Sequence, residues 1–189
     1  MIPRDECLKA IAKYRTNEIV ITTMKTAREW PIVSKSDLDF NGLGTGMGHV
    51  PELGLGLALA RPERKVLVLN GDGSMLMNLG TLVTIAHSNP KNYILIVFEN
   101  GTYETTGGQP IPGLDKMNFA LLAKASGIPK AYEYDALDAF EKDFPKLLKE
   151  DGPIFINLKV VPPRTEPPPA RLVPIAEAAQ TLRRMFTKN

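Results

Sequence analysis

Strand-length apolar runs recur along the chain at residues 18–22 (EIVIT), 66–69, 93–98 and 153–161 (PIFINLKVV), with a shorter one at 130–134. Between them the apolar positions fall at helical spacing. Residues 5–15 place Leu8, Ile11 and Ala12 on one face, with Asp5 positioned to cap. Further helices are expected from Ala27 onward, from near Pro51 to Ala60, between the runs at 66–69 and 93–98, and over 118–125, where Gly127 and Pro129 end the pattern. Residues 136–150 form an amphipathic surface helix, and 175–186 a last helix whose apolar face needs a cover. Strands alternating with helices predict an α/β fold, one parallel sheet flanked by helices on both faces.

The pattern is most informative over 66–109. The first run there ends in Asn70-Gly71-Asp72-Gly73-Ser74, and the second in Glu99-Asn100-Gly101-Thr102. Two buried parallel strands joined by a helix put both turns at the carboxyl edge of the sheet, where such folds bind ligands. Asp72 and Asn100 are then neighbours in space although 28 residues apart. Asp72 offers a carboxylate, Asn100 an amide oxygen and Thr102 a backbone carbonyl, a hard-oxygen set suited to Mg²⁺ or Ca²⁺. Gly71 and Gly73 let backbone N–H groups approach an anion, and Ser74 stands at the helix start, where phosphate is favoured. No Gly-Lys-Ser/Thr follows the glycines and no G-x-G-x-x-G is present, so neither a Walker loop nor a dinucleotide fingerprint applies.

A second corner follows the run at 18–22. Thr22-Thr23-Met24-Lys25-Thr26 places hydroxyls and a lysine ahead of a helix. It suits an anion, or equally a plain N-cap in which Thr26 closes a box to Glu29. Residues 41–56 are glycine-rich and contain Met47 and His49; His87, late in a helix, reads as a surface residue. After Thr102 comes a polar loop, Tyr103 to Pro110, containing Gly107, Gly108 and Gln109, suited either to closing over a ligand or to a solvated connection.

Composition changes this picture little. The chain has 189 residues, 43% of them hydrophobic, and a formal net charge of +2, with no long basic patch to indicate nucleic acid. No run is long enough to span a membrane. One cysteine, Cys7, excludes an internal disulfide, suits a reducing cytoplasm and is expected to pack on the first helix.

Gly-Asp-Gly-Ser at 71–74, followed after a strand by Asn100-Gly101, resembles the cofactor motif of thiamine-diphosphate enzymes. The resemblance implies that Asp72, Asn100 and the Thr102 carbonyl hold Mg²⁺, and that Glu99 stands where the family often has a second asparagine. Thr-Thr-x-Lys-Thr, Gly-Met-Gly-His and Gly-Gly-Gln-Pro resemble the phosphonopyruvate and sulfopyruvate decarboxylases in particular. By that likeness Thr22, Thr23, Gly71, Gly73 and Ser74 lie by the diphosphate, with Met24 replacing a usual glycine. Met47, 25 positions before Asp72, becomes the wedge that bends the cofactor. His49 becomes a candidate for proton transfer, and Lys25 and Gln109 candidates for the substrate.

The likeness runs from about residue 18 to 161, the diphosphate-binding domain, leaving 162–189 as a proline-rich arm and helix for a partner. The family also needs a pyrimidine-binding domain that supplies an activating glutamate. The expectation is therefore a split enzyme: this chain as β subunit, a pyrimidine-domain α subunit as partner, in an α₂β₂ or larger assembly. The implied reaction is decarboxylation of a short 2-oxo acid such as 3-sulfopyruvate or 3-phosphonopyruvate. A carboligase of the acetolactate synthase or benzaldehyde lyase kind, or a non-catalytic subunit, would use the same clamp.

Overall fold

The computed structural model describes residues 1–43, 46–114, 116–162 and 173–187. In chain order the elements are β1 (Ile2–Pro3), α1 (Arg4–Tyr14), β2 (Ile19–Thr23), α2 (Met24–Val33), β3 (Asp39–Leu43), α3 (Val50–Ala60), β4 (Val66–Gly71) and α4 (Asp72–Met77). They continue with α5 (Thr81–Ser88), β5 (Tyr93–Glu99), β6 (Thr102–Tyr103), β7 (Gln109–Pro110), α6 (Phe119–Ala125), β8 (Lys130–Tyr134), α7 (Leu137–Leu147), β9 (Ile154–Val161) and α8 (Ile175–Thr187). Seven strands form one sheet in the order β1-β9-β5-β4-β2-β3, with β8 also on β9, and every pairing in it is parallel. β6 and β7 make a small antiparallel hairpin beside it.

Side-chain alternation along the strands splits the core into two layers. Ile19, Ile21, Val66, Val68, Tyr93, Leu95 and Val97 pack under α3, α5, α6 and α8. Val20, Leu67, Leu69, Ile94, Ile96 and Phe98 pack under α1, α2 and α7. Helices thus cover both faces, as the alternation of elements predicts. The closest approach is at Gly54 of α3, where a Cβ would lie 2.2 Å from Val68 Cγ2 and 3.2 Å from the Tyr93 ring. A glycine lets this helix sit directly on the sheet.

Several elements depart from the sequence expectation. β1 and β3 are extra strands; DFNGL in β3 is polar and glycine-bearing, which masks an edge strand. The helix between β4 and β5 is two helices, broken at Asn78-Leu79-Gly80. Asp5 does not cap α1: the N-cap is Pro3, and Asp5 lies in the first turn with Lys9 Nζ 3.0 Å away. The last helix finds its cover within this chain, because α8 lies against β3 with Ala178 and Leu182 buried. The Arg61 guanidinium stacks 4.3 Å from the Phe186 ring centroid on the same helix. The proline-rich arm falls mostly at 163–172, outside the described residues, as do residues 44 and 45 of the glycine-rich stretch. Among the described residues no helix is long and apolar enough to cross a membrane.

Candidate cofactor and metal site

The parallel register fixes where the two motif turns meet. Gly71 pairs with Phe98, so β4 and β5 end side by side and release their turns at the same edge. Asp72 accepts three backbone N–H groups there: Gly73 on Oδ1 at 2.7 Å, and Asn100 and Gly101 on Oδ2 at 2.9 and 2.7 Å. The predicted proximity of Asp72 and Asn100 is direct contact. The Asp72 side chain is buried, and burial pushes its pKa up despite the three N–H donors, with Glu99 adding to the rise. Among the described residues no cation pairs with it. A buried carboxylate held only by amide dipoles is short of positive charge, a need that a divalent cation meets.

The remaining oxygens are of the right kind. Asn100 Oδ1 accepts the Thr102 N–H at 3.0 Å, and its Nδ2 donates to Glu104 Oε2 at 2.8 Å. The amide oxygen and the Thr102 backbone therefore lie together, in the turn whose Asn100 and Gly101 N–H groups Asp72 accepts. One carboxylate, one amide and one carbonyl form a hard-oxygen set of low formal charge, which leaves ligand positions for phosphate and water. It contains no group of three acidic, histidine or cysteine side chains, and none occurs among the described residues.

A cleft opens over these turns, lined by Thr23, Met24, Lys25, Met47, Gly71, Asp72, Gly73, Ser74, Asn100 and Thr102 among others. Met47 and Tyr103 face each other across Gly73: a Cβ there would lie 2.6 Å from the Tyr103 ring and 3.6 Å from Met47 Cε. Ser74 Oγ accepts the Gly48 N–H at 2.9 Å, tying the Met47 loop to α4.

The corner at α2 is an N-cap, with different partners from those expected, and it also lines the cleft. Thr23 is the N-cap, and its capping box closes with Thr26, three residues on, rather than between Thr26 and Glu29. Thr26 Oγ1 also lies 3.0 Å from the Leu69 carbonyl, fastening α2 to β4. Met24, at the usual glycine position, takes φ +53°, so the backbone keeps a shape that glycine adopts freely. Thr23 and Lys25 line the cleft; Thr22 does not, because strand alternation buries it and its hydroxyl donates to Asn41 Oδ1 at 2.8 Å.

Two other candidates stand outside the lining residues. His49 is exposed at the N-cap of α3, and Gln109 is exposed on the β6–β7 hairpin. His87 is exposed in the last turn of α5, as expected. Glu99 turns away to β9, where Asn157 Nδ2 donates to it at 2.5 Å. The residues that sequence reasoning missed are Arg4, Tyr103 and Glu104, all in the cleft wall. Tyr103 and Glu104 adjoin a recognised turn, but Arg4 gives no local signal.

Comparison with known proteins agrees with this geometry. The family described as "Thiamine pyrophosphate enzyme, C-terminal TPP binding domain" matches residues 19–158. The chain is 37% identical over 155 residues to the sulfopyruvate decarboxylase subunit beta of Methanocaldococcus jannaschii, covering 82% of this chain and 81% of that one. It is 36% identical over 144 residues to the phosphonopyruvate decarboxylase of Streptomyces hygroscopicus, covering 76% of this chain and 35% of that protein. Acetolactate synthase large subunits are more distant relatives. A solved structure of a Mycobacterium smegmatis protein, described as "a putative thiamin diphosphate-dependent enzyme", superposes with a TM-score of 0.65 at 17% identity. It covers 87% of this chain and 32% of its own, a likeness of fold.

Proposed function

The chain belongs to the thiamine pyrophosphate enzymes, and from that premise we propose that it is the diphosphate-binding (β) subunit of a heteromeric 2-oxo acid decarboxylase. The substrate is a short 2-oxo acid with a second anionic group, 3-sulfopyruvate, 3-phosphonopyruvate or a close analogue, yielding an aldehyde and CO₂. A pyrimidine-domain α subunit supplies the activating glutamate, in an α₂β₂ or larger cytoplasmic assembly. The observation that carries this reading is the meeting of Asp72, Asn100 and Thr102 in the turns at one sheet edge, beside a cleft lined by Gly71, Gly73 and Ser74. The likeness to a subunit named beta, covering most of both chains, supports the split architecture.

Asp72 Oδ, Asn100 Oδ1 and the Thr102 carbonyl would hold Mg²⁺, whose charge offsets the buried Asp72 carboxylate. Gly71, Gly73, Ser74 and Thr23 would receive the diphosphate, with the two glycines leaving their backbone N–H groups open to approach. Met47, a flexible thioether across from Tyr103, would press against the cofactor and impose its bend. Lys25, 3.2 Å from Glu104, is the cation available to a substrate anion once that pairing yields. His49 and Gln109 would act only at the wall shared with the partner. When bound, thiamine diphosphate supplies the electron sink for loss of CO₂. The chain's own work is to position, to neutralise charge and to exclude water.

The test is product analysis with the co-purifying partner present. Release of CO₂ and an aldehyde from 3-sulfopyruvate or 3-phosphonopyruvate is the expected result. An acyloin product would place the protein with the carboligases, and no turnover of any 2-oxo acid in a cofactor-loaded complex would make it a non-catalytic subunit.

A further inference from the structure

Asn100 is not held by its own turn alone. Its Nδ2 donates to Glu104 Oε2 at 2.8 Å, and Glu104 is gripped in turn by Arg4, through Nη1 to Oε2 at 2.6 Å and Nη2 to Oε1 at 3.1 Å. Arg4 is only 2% exposed and forks the other way onto buried Glu29, Nε to Oε2 and Nη2 to Oε1, both at 2.7 Å. Lys25 Nζ completes the set, 3.2 Å from Glu104 Oε1. The network joins residues 4, 25, 29, 100 and 104, and Arg4 lies outside the matched region, residues 19–158.

We propose that Glu104, locked by Arg4, is a positioning residue that fixes the Asn100 amide with its oxygen toward the metal. The inference rests on the reading of Asn100 as a metal ligand. An ionised carboxylate can only accept hydrogen bonds, so the amide edge facing Glu104 must be the NH₂. The opposite edge is then the carbonyl oxygen, which accepts the Thr102 N–H in the turn that Asp72 holds by its backbone. Without Glu104 only the Thr102 N–H holds the oxygen in place, and the amide is freer to turn over and present donors to a cation. Arg4 keeps the carboxylate from swinging away, because its guanidinium is anchored on both sides by bidentate pairs. Groups that orient a ligand in this way tune metal affinity without touching the metal.

The test is a Mg²⁺ titration of the complex with its partner at saturating thiamine diphosphate, read by calorimetry, alongside thermal melts. Glu104→Ala raises the Mg²⁺ concentration for half-saturation by about 10- to 100-fold. Glu104→Gln removes the same charge but keeps an acceptor oxygen for Asn100 Nδ2, so it recovers most of the lost affinity. Arg4 stays paired with Glu29 in both variants, so both fold. Equal losses in the two variants would assign the effect to charge and overturn positioning. Melting temperatures that fall with no change in Mg²⁺ demand would make the network purely structural. If the wild-type complex binds no cofactor with Mg²⁺, the parent reading falls and takes this inference with it. Wild-type binding with indifferent variants overturns this inference alone.

Discussion

Asp72 Oδ2 accepts the backbone N–H of Asn100 at 2.9 Å, a bond that spans 28 residues of chain and joins the ends of two adjacent parallel strands. It makes the two motif turns one rigid unit. The ligand geometry is therefore set by the sheet itself, through a register that pairs Gly71 with Phe98. Preorganisation of this kind places binding groups on strand ends rather than on free loops.

The close packing of the Tyr103 ring on Gly73 gives a steric prediction. A Cβ there would sit 2.6 Å from the Tyr103 ring, closer than real contacts allow. Gly73→Ala should cost about 1–3 kcal/mol of stability and weaken cofactor binding by more than about 10-fold, since either Tyr103 or the turn must move. Gly73→Ala with Tyr103→Ala should recover much of the stability in urea unfolding. A single variant as stable as wild type would show that the turn is loose.

Met24 gives a prediction of the opposite sign. It holds φ +53°, a conformation costing non-glycine residues about 1–2 kcal/mol. Met24→Gly should therefore stabilise the chain by up to about 1 kcal/mol after the greater unfolded-state entropy of glycine is subtracted. A higher urea midpoint at unchanged slope is expected; a lower one would mean that the Met24 side chain contributes more by packing than its backbone costs.

Cys7 tests the core. It is fully buried on α1, and burial pushes its thiol up to about 12 from an ordinary 9.0. Thiol reagents at pH 8 should label it only at the rate of unfolding. Above pH 9 the unfolded chain releases this proton while the folded chain keeps it. The residue's contribution to stability is therefore full below 9 and declines as pH rises through the window to about 12. Rapid labelling of the native protein would contradict the packing of α1.

Much of this was legible because apolar runs and glycine turns carry their structure locally. The runs at 66–69 and 93–98, with the turns after them, specify β4, β5 and the meeting of Asp72 with Asn100. The rest was hidden for physical reasons. β3 joins the sheet edge with Asp39, Asn41 and Gly42, a composition that propensity reads as loop. The turn of chain at Asn78-Leu79-Gly80 breaks a helix whose apolar pattern continues across it. Arg4 carries no local signal, and only the fold brings it to Glu104, 100 residues away. The reach of α8 back to β3 is likewise tertiary, and it covers the apolar face that the helical pattern leaves open.

The most direct measurement is calorimetric titration of thiamine diphosphate with Mg²⁺ into the chain together with its co-purifying partner, repeated with Asp72→Asn. The account predicts saturable, Mg²⁺-dependent binding that Asp72→Asn weakens by more than about 100-fold, the removal of a metal ligand costing more than the loss of a supporting contact. Binding that is absent from the wild-type complex, or indifferent to Asp72, would contradict it.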